Sequence, residues 1–198
     1  MPYTAEHKQR TRQHIVDSAR ELFNADGFAE VSIDRIMARA GLTRGGFYNH
    51  FDTKEDLFLE VIEDFGRCNP ADRWDRVDLD FGAEPEVVAR QMVDAYLSLQ
   101  HLDDLAGHCP LMALPNDVAQ TSPRLREAYS RSVTNLALLF EAGVQPSDHL
   151  SRGQLSKALV ALCVGGMVIA RTTDDQDLAN EFRESARALA RGFVDASG

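Results

Sequence analysis

Cysteine is scarce in this chain: Cys68, Cys109 and Cys163 are the only three among 198 residues. Thiols this few and this widely spaced supply neither a disulfide framework nor the paired ligands of a structural zinc site. Tryptophan occurs once, at Trp74. No stretch of eighteen consecutive apolar residues offers a membrane span, and the opening MPYTAEHKQRTR carries charge where a signal peptide needs its apolar segment. These absences predict a soluble, cytoplasmic protein with no membrane partner. Catalytic groups are equally sparse. Apart from the adjacent His108 and Cys109, no nucleophile, base and orienting group stand out, and His101, His108 and Cys109 match no common metal-ligand spacing. A protein that is not an enzyme, with no cofactor and no metal, is expected.

What is present is apolar residue in quantity, 44% of the chain, over a length that allows one small helical domain and one larger one. The net charge of −10 is uneven. Residues 1–54 hold eight Lys/Arg against seven Asp/Glu, so a balance of −11 falls on the remainder. An acidic body behind a locally basic head binds phosphates through the head and repels nucleic acid elsewhere.

The head contains VSIDRIMARAGLTRGGFYNHFDTKEDLF, residues 31–58. Ser32 is a good N-cap for a helix whose Ile33, Ile36, Met37 and Ala40 recur on one face. Gly41 suits the left-handed turn that ends it, Leu42 plugs the corner, and Thr43 caps a second helix over Arg44 to His50. Gly45 and Gly46 each cost about 1 kcal/mol relative to alanine in a helix interior. Their return is close approach of the backbone to another surface. Beside Thr43, Arg44, Tyr48, Asn49 and His50 that surface is the edge of a DNA groove, while Phe47 and Phe51 hold the helix to the core. Thr53, with Asp56 three residues on, opens a further helix that buries Leu57, Phe58, Val61, Ile62 and Phe65. Lys54 in its first turn reaches either a phosphate or a neighbouring acid.

The pattern Thr43-x-Gly45-x-Phe47-Tyr48-x-His50-Phe51, followed by Thr53-Lys54-Glu55-Asp56-Leu57, resembles the DNA-binding segment of the TetR family of bacterial one-component repressors. The resemblance covers about the first sixty residues; beyond residue 65 it is one of length and helical character. It implies an all-α chain with a three-helix helix-turn-helix DNA-binding domain over 1–53. A larger helical ligand-binding and dimerisation domain would follow over 54–198, entered through a connecting helix at 54–65. It also implies a homodimer on a palindromic double-stranded DNA operator, released by a small-molecule effector. The implied DNA contacts are Ser32, Thr43, Arg44, Gly45, Gly46, Tyr48, Asn49, His50 and Lys54. Arg44 reads a base, and Arg10 and Arg12 lie near the backbone or are simply solvated.

Elsewhere, Ile15, Val16, Ala19, Leu22 and Phe23 mark a buried helical face stopped by Asp26-Gly27. Residues 66–85 lose periodicity and read as a domain junction, with Trp74 and Phe81 as its large apolar anchors; Trp74 either lines a pocket or pins the loop. A helix from Pro85 to about Leu102 follows. Pro110 and Pro115 then interrupt the chain, and Asp117 or Ser122 caps the helix that comes next. Further helices are expected over 123–142, 151–172 and 174–196. The expected effector-binding residues are Trp74, Met92, Tyr96, Cys109, Met112, Tyr129, Phe140 and Met167. The last two helices supply a dimer interface through Leu155, Leu159, Leu162, Gly166, Phe182 and Leu189, or the first of them is a central core helix. Cys109, beside His108 and a proline, is either a reactive thiol or an inert buried one. Its Gly-x-Cys surroundings weakly resemble TetR-family members that sense electrophiles. A helical interaction protein that does not bind DNA is the remaining class, and it leaves the glycine pair and the basic head unexplained.

Overall fold

The computed structural model describes residues 5–67, 74, 77–104, 107–147 and 149–195. Cys68, the opening MPYT and positions 69–73, 75 and 76 of the expected junction lie outside the described residues. Among the described residues all regular elements are α-helices, as the periodicities predict. By contacts the chain forms two compact units.

The first unit comprises described residues 5–67 and 107–129. Helix α1 (Ala5–Asp26) buries Ile15, Val16, Ala19 and Phe23 and ends where Gly27 takes φ +82°. Helix α2 (Ile33–Arg39) starts at Ser32, whose hydroxyl accepts the Arg35 N–H at 3.2 Å, and stops at Gly41 with φ +68°. Both glycines sit where a side chain would be strained. Helix α3 is shorter than periodicity predicts, Arg44–Phe47, with residues 48–50 turning out of it. Two glycines leave it little helical propensity, so it persists only while Phe47 and Phe51 stay buried. Helix α4 (Lys54–Phe65) carries the full capping box: the Thr53 hydroxyl accepts the Asp56 N–H, and the Asp56 carboxylate accepts the Thr53 N–H.

The expected boundary after residue 53 is not where contacts divide. Helices α7 (Pro110–Ala113) and α8 (Pro115–Ala119), each opening on a proline, belong to the same unit, with the first turns of α9 (Pro123–Gly143). The reason is apolar area. Leu114, Val118, Leu125 and Ala128 join the core of Ile15, Phe23, Ile36, Phe47, Leu57 and Phe58, a cover that a three-helix head lacks on its own. Asp117 does not cap α9, as was one expectation, because its carboxylate accepts the Phe28 N–H instead. Residue Ser122 precedes α9, and its hydroxyl has no hydrogen-bond partner.

The second unit comprises Trp74 and described residues within 77–104 and 130–195. Helix α5 (Pro85–Tyr96) buries Val88, Ala89, Met92 and Val93. The helix expected to continue to Leu102 breaks at Leu97, and α6 (Leu99–Asp103) restarts after Ser98 caps it by accepting the His101 N–H at 3.0 Å. Tertiary partners hold the break open: Arg183 donates to the Leu97 carbonyl at 2.6 Å, and the His101 ring Nδ1 lies 2.7 Å from the Tyr96 carbonyl. Helix α10 (Arg152–Thr172) has its own capping box, Ser151 with Gln154. It is long and apolar enough to pass for a membrane span, yet it packs on α11 (Gln176–Asp195). Trp74 is buried, stacked on His101 at 4.5 Å with its N–H donated to Asp104 at 2.9 Å, so it pins the loop. Phe81 is no anchor: it is 55% exposed.

Candidate nucleic-acid interface

The turn between α2 and α3 is built from inside outward. Phe47 and Phe51 are sealed in the core, their rings 5.7 Å apart, and Leu42 is half-buried against the same cluster. With those side chains turned in, Thr43, Arg44, Gly45, Tyr48 and Asn49 are left exposed. A side chain added at Gly45 would meet nothing within 4 Å, so the face is open. Thr43 stands at the N-cap of α3 in extended conformation without using its hydroxyl as a cap. Ser32, also expected to face DNA, is exposed but occupied as the cap of α2.

Arg44 is paired with the Asp34 carboxylate of α2. A hydrogen bond with Tyr48 first, and the charge of Asp34 next, hold its guanidinium charged above its ordinary range. A charge held so weakly can be re-aimed, since an exposed ion pair is worth little in water. His50 behaves oppositely. Burial first, then the nearby charges of Lys8 and Arg12, lower its pKa below the usual 6.5, and its Nδ1 has no hydrogen-bond partner.

Two cations expected near DNA, Lys54 and Arg12, turn out to be engaged within the protein. Lys54 donates to the carbonyls of Phe28 at 2.7 Å, Val31 at 2.9 Å and Ala29 at 3.4 Å, and lies 4.3 Å from the Phe28 ring centroid. Burial lowers its pKa, against the opposing charges of Asp117 and Glu30. An ammonium has three donors, and all three are taken. Arg12 donates to the His50 carbonyl, pairs with Glu60 at 3.0 Å and lies over Phe51 at 4.0 Å, clamping the turn after α3. Arg10 makes an exposed pair with Glu6 at 3.7 Å. Asp34 was missed by sequence reasoning. No local motif marks a carboxylate ten residues before its partner.

The eight expected effector contacts are not brought together in one compact unit. Cys109, Met112 and Tyr129 belong to the first, and Trp74, Met92, Tyr96, Phe140 and Met167 to the second. The latter five are at most 9% exposed and serve as core. A cleft of about 470 Å³ in the second unit is lined by none of the eight; Gln91, Asp94, Ser98, Gln100, Arg183 and Arg187 are among its walls. Periodicity finds apolar interiors, and this opening is polar.

Cys109 is buried at the N-cap of α7, and Cys163 is fully buried, which pushes its thiol far up from its ordinary pKa. Native protein is therefore expected to protect both from alkylation at pH 7.5, with modification appearing only in denaturant. Peptide mass mapping checks this, and rapid native labelling of Cys109 would restore the reactive-thiol alternative. Among the described residues no group of three His, Cys, Asp or Glu is arranged to hold a metal ion.

The expected dimer face also needs correction. Leu155 and Leu159 are buried in their own unit, and a side chain at Gly166 would lie 2.8 Å from the Ala186 Cβ and 3.4 Å from Leu97, so close helix approach there serves α10 against its own neighbours. Leu162 is half-buried. Phe182 and Leu189 are exposed, as are Leu178 and Ile169.

The capped helix α2, the turn at Gly41 and the short α3 with Arg44, Tyr48 and Asn49 left exposed are the elements of a helix-turn-helix protein. Comparison narrows the class. Residues 15–61 match the family described as bacterial regulatory proteins, tetR family. The chain is 31% identical over 158 residues to the HTH-type transcriptional regulator AcrR of Shigella flexneri, covering 75% of this chain and 73% of that one. It is 36% identical over 97 residues to SrpR of Pseudomonas putida, spanning 49% of this chain and 45% of the relative. Among solved structures, reduced NemR of E. coli superposes with TM-score 0.73 at 17% identity over 93% and 97% of the two chains. A TetR regulator of Chloroflexus aurantiacus gives 0.72 at 22% identity over 96% of each. The chain belongs to the TetR/AcrR family of transcriptional regulators, a family of DNA-binding proteins and not of enzymes.

Proposed function

We propose that this regulator is a cytoplasmic repressor that binds a near-palindromic operator as a homodimer and leaves it when a small molecule binds the second compact unit. The observation that carries the DNA half of this reading is the α3 turn, with Phe47 and Phe51 locked inward while Thr43, Arg44, Tyr48 and Asn49 face out. Arg44 reads a guanine edge, which matches a fork of donors, and the Thr43 and Tyr48 hydroxyls hold phosphates. Gly45 lets the backbone approach the groove. Two such turns enter successive major grooves about 34–36 Å apart. Lys54 is left out of the contact set because its donors are spent on carbonyls.

Dimerisation is supported by the exposed apolar side chains on α10 and α11, Ile169, Leu178, Phe182 and Leu189, the kind of surface that marks an interface. Phe182→Asp with Leu189→Asp is expected to convert the dimer to monomer in analytical ultracentrifugation, with helical content unchanged. A variant that stays dimeric places the interface elsewhere. For release, the effector must bind one arrangement of the dimer better than the DNA-competent one, and a coupling of about 1–3 kcal/mol suffices for regulation.

The test is selection of duplexes from a random-sequence library at about 0.15 M salt, where purely ionic binding is suppressed. Recovery of an inverted repeat is the expected result. No enriched motif from folded, dimeric protein would overturn the operator reading.

A further inference from the structure

Phe28, in the loop between α1 and α2, is held at three points. Its N–H donates to the Asp117 carboxylate at 2.7 Å, its carbonyl accepts from Lys54 at 2.7 Å, and its ring stacks on Phe58 at 4.6 Å. We propose that Asp117, carried on α8 and 89 residues after Phe28 in sequence, is a positioning residue for DNA recognition. It acts by fixing the 27–31 loop from which α2 starts. This rests on the DNA-reading assignment and adds to it a residue remote from the reading helix.

The geometry supports a dedicated clasp. Gly27, at φ +82°, would place a Cβ 3.3 Å from an Asp117 carboxylate oxygen, so the carboxylate comes nearly into contact with the chain where α1 has just ended. That position leaves the Phe28 N–H outside any helix, and an unpaired amide in a half-buried site is destabilising. Lys54 completes the clasp from the other side through the carbonyls of residues 28, 29 and 31. Asp117 itself does not swing freely, because Leu114 and Val118 on either side of it are buried in the core of the unit. A second buried tie, Asn24 to the His108 carbonyl at 3.1 Å, fastens the same downstream segment to α1.

The loop is followed directly by the reading apparatus. Val31 is fully buried, Ser32 caps α2, and Asp34 in the first turn of α2 holds Arg44 of α3. A displacement at Phe28 is thus passed to α2 and to the guanidinium that reads the base. Paired donors on a base edge fail when misplaced by a few tenths of an ångström. The attraction of a cation for phosphate falls only gently with distance.

The test compares wild type, Asp117→Ala and Asp117→Asn as full chains on a selected duplex and on a random duplex, with amide exchange followed over residues 27–31. Asp117→Ala is expected to bind the selected duplex about tenfold more weakly, a loss the size of one charge-assisted hydrogen bond. It should hold the random duplex within about twofold of wild type and exchange faster in the loop. Asp117→Asn keeps an acceptor oxygen for the Phe28 N–H and should recover most of the affinity. Asp117→Glu, which keeps the charge but shifts the carboxylate by one methylene from the Phe28 N–H, should reproduce the loss and serves if Asp117→Ala fails to fold. Unchanged affinity and exchange in Asp117→Ala would overturn the proposal. So would equal losses on both duplexes with no rescue by asparagine, which mark a merely structural residue. A wild type that enriches no duplex overturns the DNA reading first, before any variant is compared.

Discussion

Replacing Arg20 by leucine is expected to destabilise the protein by about 3 kcal/mol, the lower end of what removing one partner of a buried ion pair costs. Arg20 on α1 is 5% exposed; its guanidinium meets Asp64 of α4 at 3.2 Å and Asp17 at 2.6 Å. Leucine leaves the Asp64 carboxylate, itself 7% exposed, without its buried cation. Two groups soften the loss, the Gln13 amide at 3.1 Å and the more exposed Arg67 at 3.7 Å, which is why the lower end applies. The pair is a latch between α1 and α4. Urea unfolding of the single variant and of Arg20→Leu with Asp64→Leu measures it. The double variant should recover most of the stability, because replacing both charges removes the desolvation penalty along with the attraction. A single variant within about 0.5 kcal/mol of wild type would mean that Asp64 finds adequate partners without Arg20.

The second large effect is on recognition. Arg44→Ala should lower affinity for the selected operator by about tenfold to hundredfold and relax preference at one base pair per half-site. Affinity for random duplex should fall little, and the slope of affinity against salt should change by less than one phosphate's share. The reasoning is positional: Arg44 is exposed, it pairs with Asp34, and it opens a helix whose next two residues are glycines. Quantitative binding to the selected duplex, to a variant with the preferred base changed, and to random DNA decides the matter. Equal losses on all three would make Arg44 a phosphate contact. Lys54→Ala is the instructive contrast, since it withdraws an ammonium from three carbonyls and disturbs the loop before α2.

Much of the reading head is legible in the sequence because its signals are local. Ser32 caps α2 and Gly41 ends it, Thr53 and Asp56 form their capping box, and Phe47 and Phe51 face inward four residues apart. Each depends on partners within one helical turn, where spacing is enough to identify them. The break at Leu97 is not legible in this way. There Arg183, 86 residues later, takes the Leu97 carbonyl. The expected effector residues stand out only by size and apolarity, and those properties equally describe the packed interior that Trp74, Met92, Tyr96, Phe140 and Met167 form.

By itself, then, the sequence determined an all-helical chain, the buried faces of its long helices, the turn that presents Arg44 and Tyr48, and the family to which the chain belongs. Tertiary structure decided what each charged side chain is for. Lys54 clasps a loop, Arg12 braces the turn after α3, Asp117 reaches back to Phe28, and Leu155 and Leu159 face their own core. The physical reason is range. Helix caps and apolar periodicities are settled within a few residues, whereas a guanidinium, ammonium or carboxylate takes whichever partner the folded chain brings within about 3 Å.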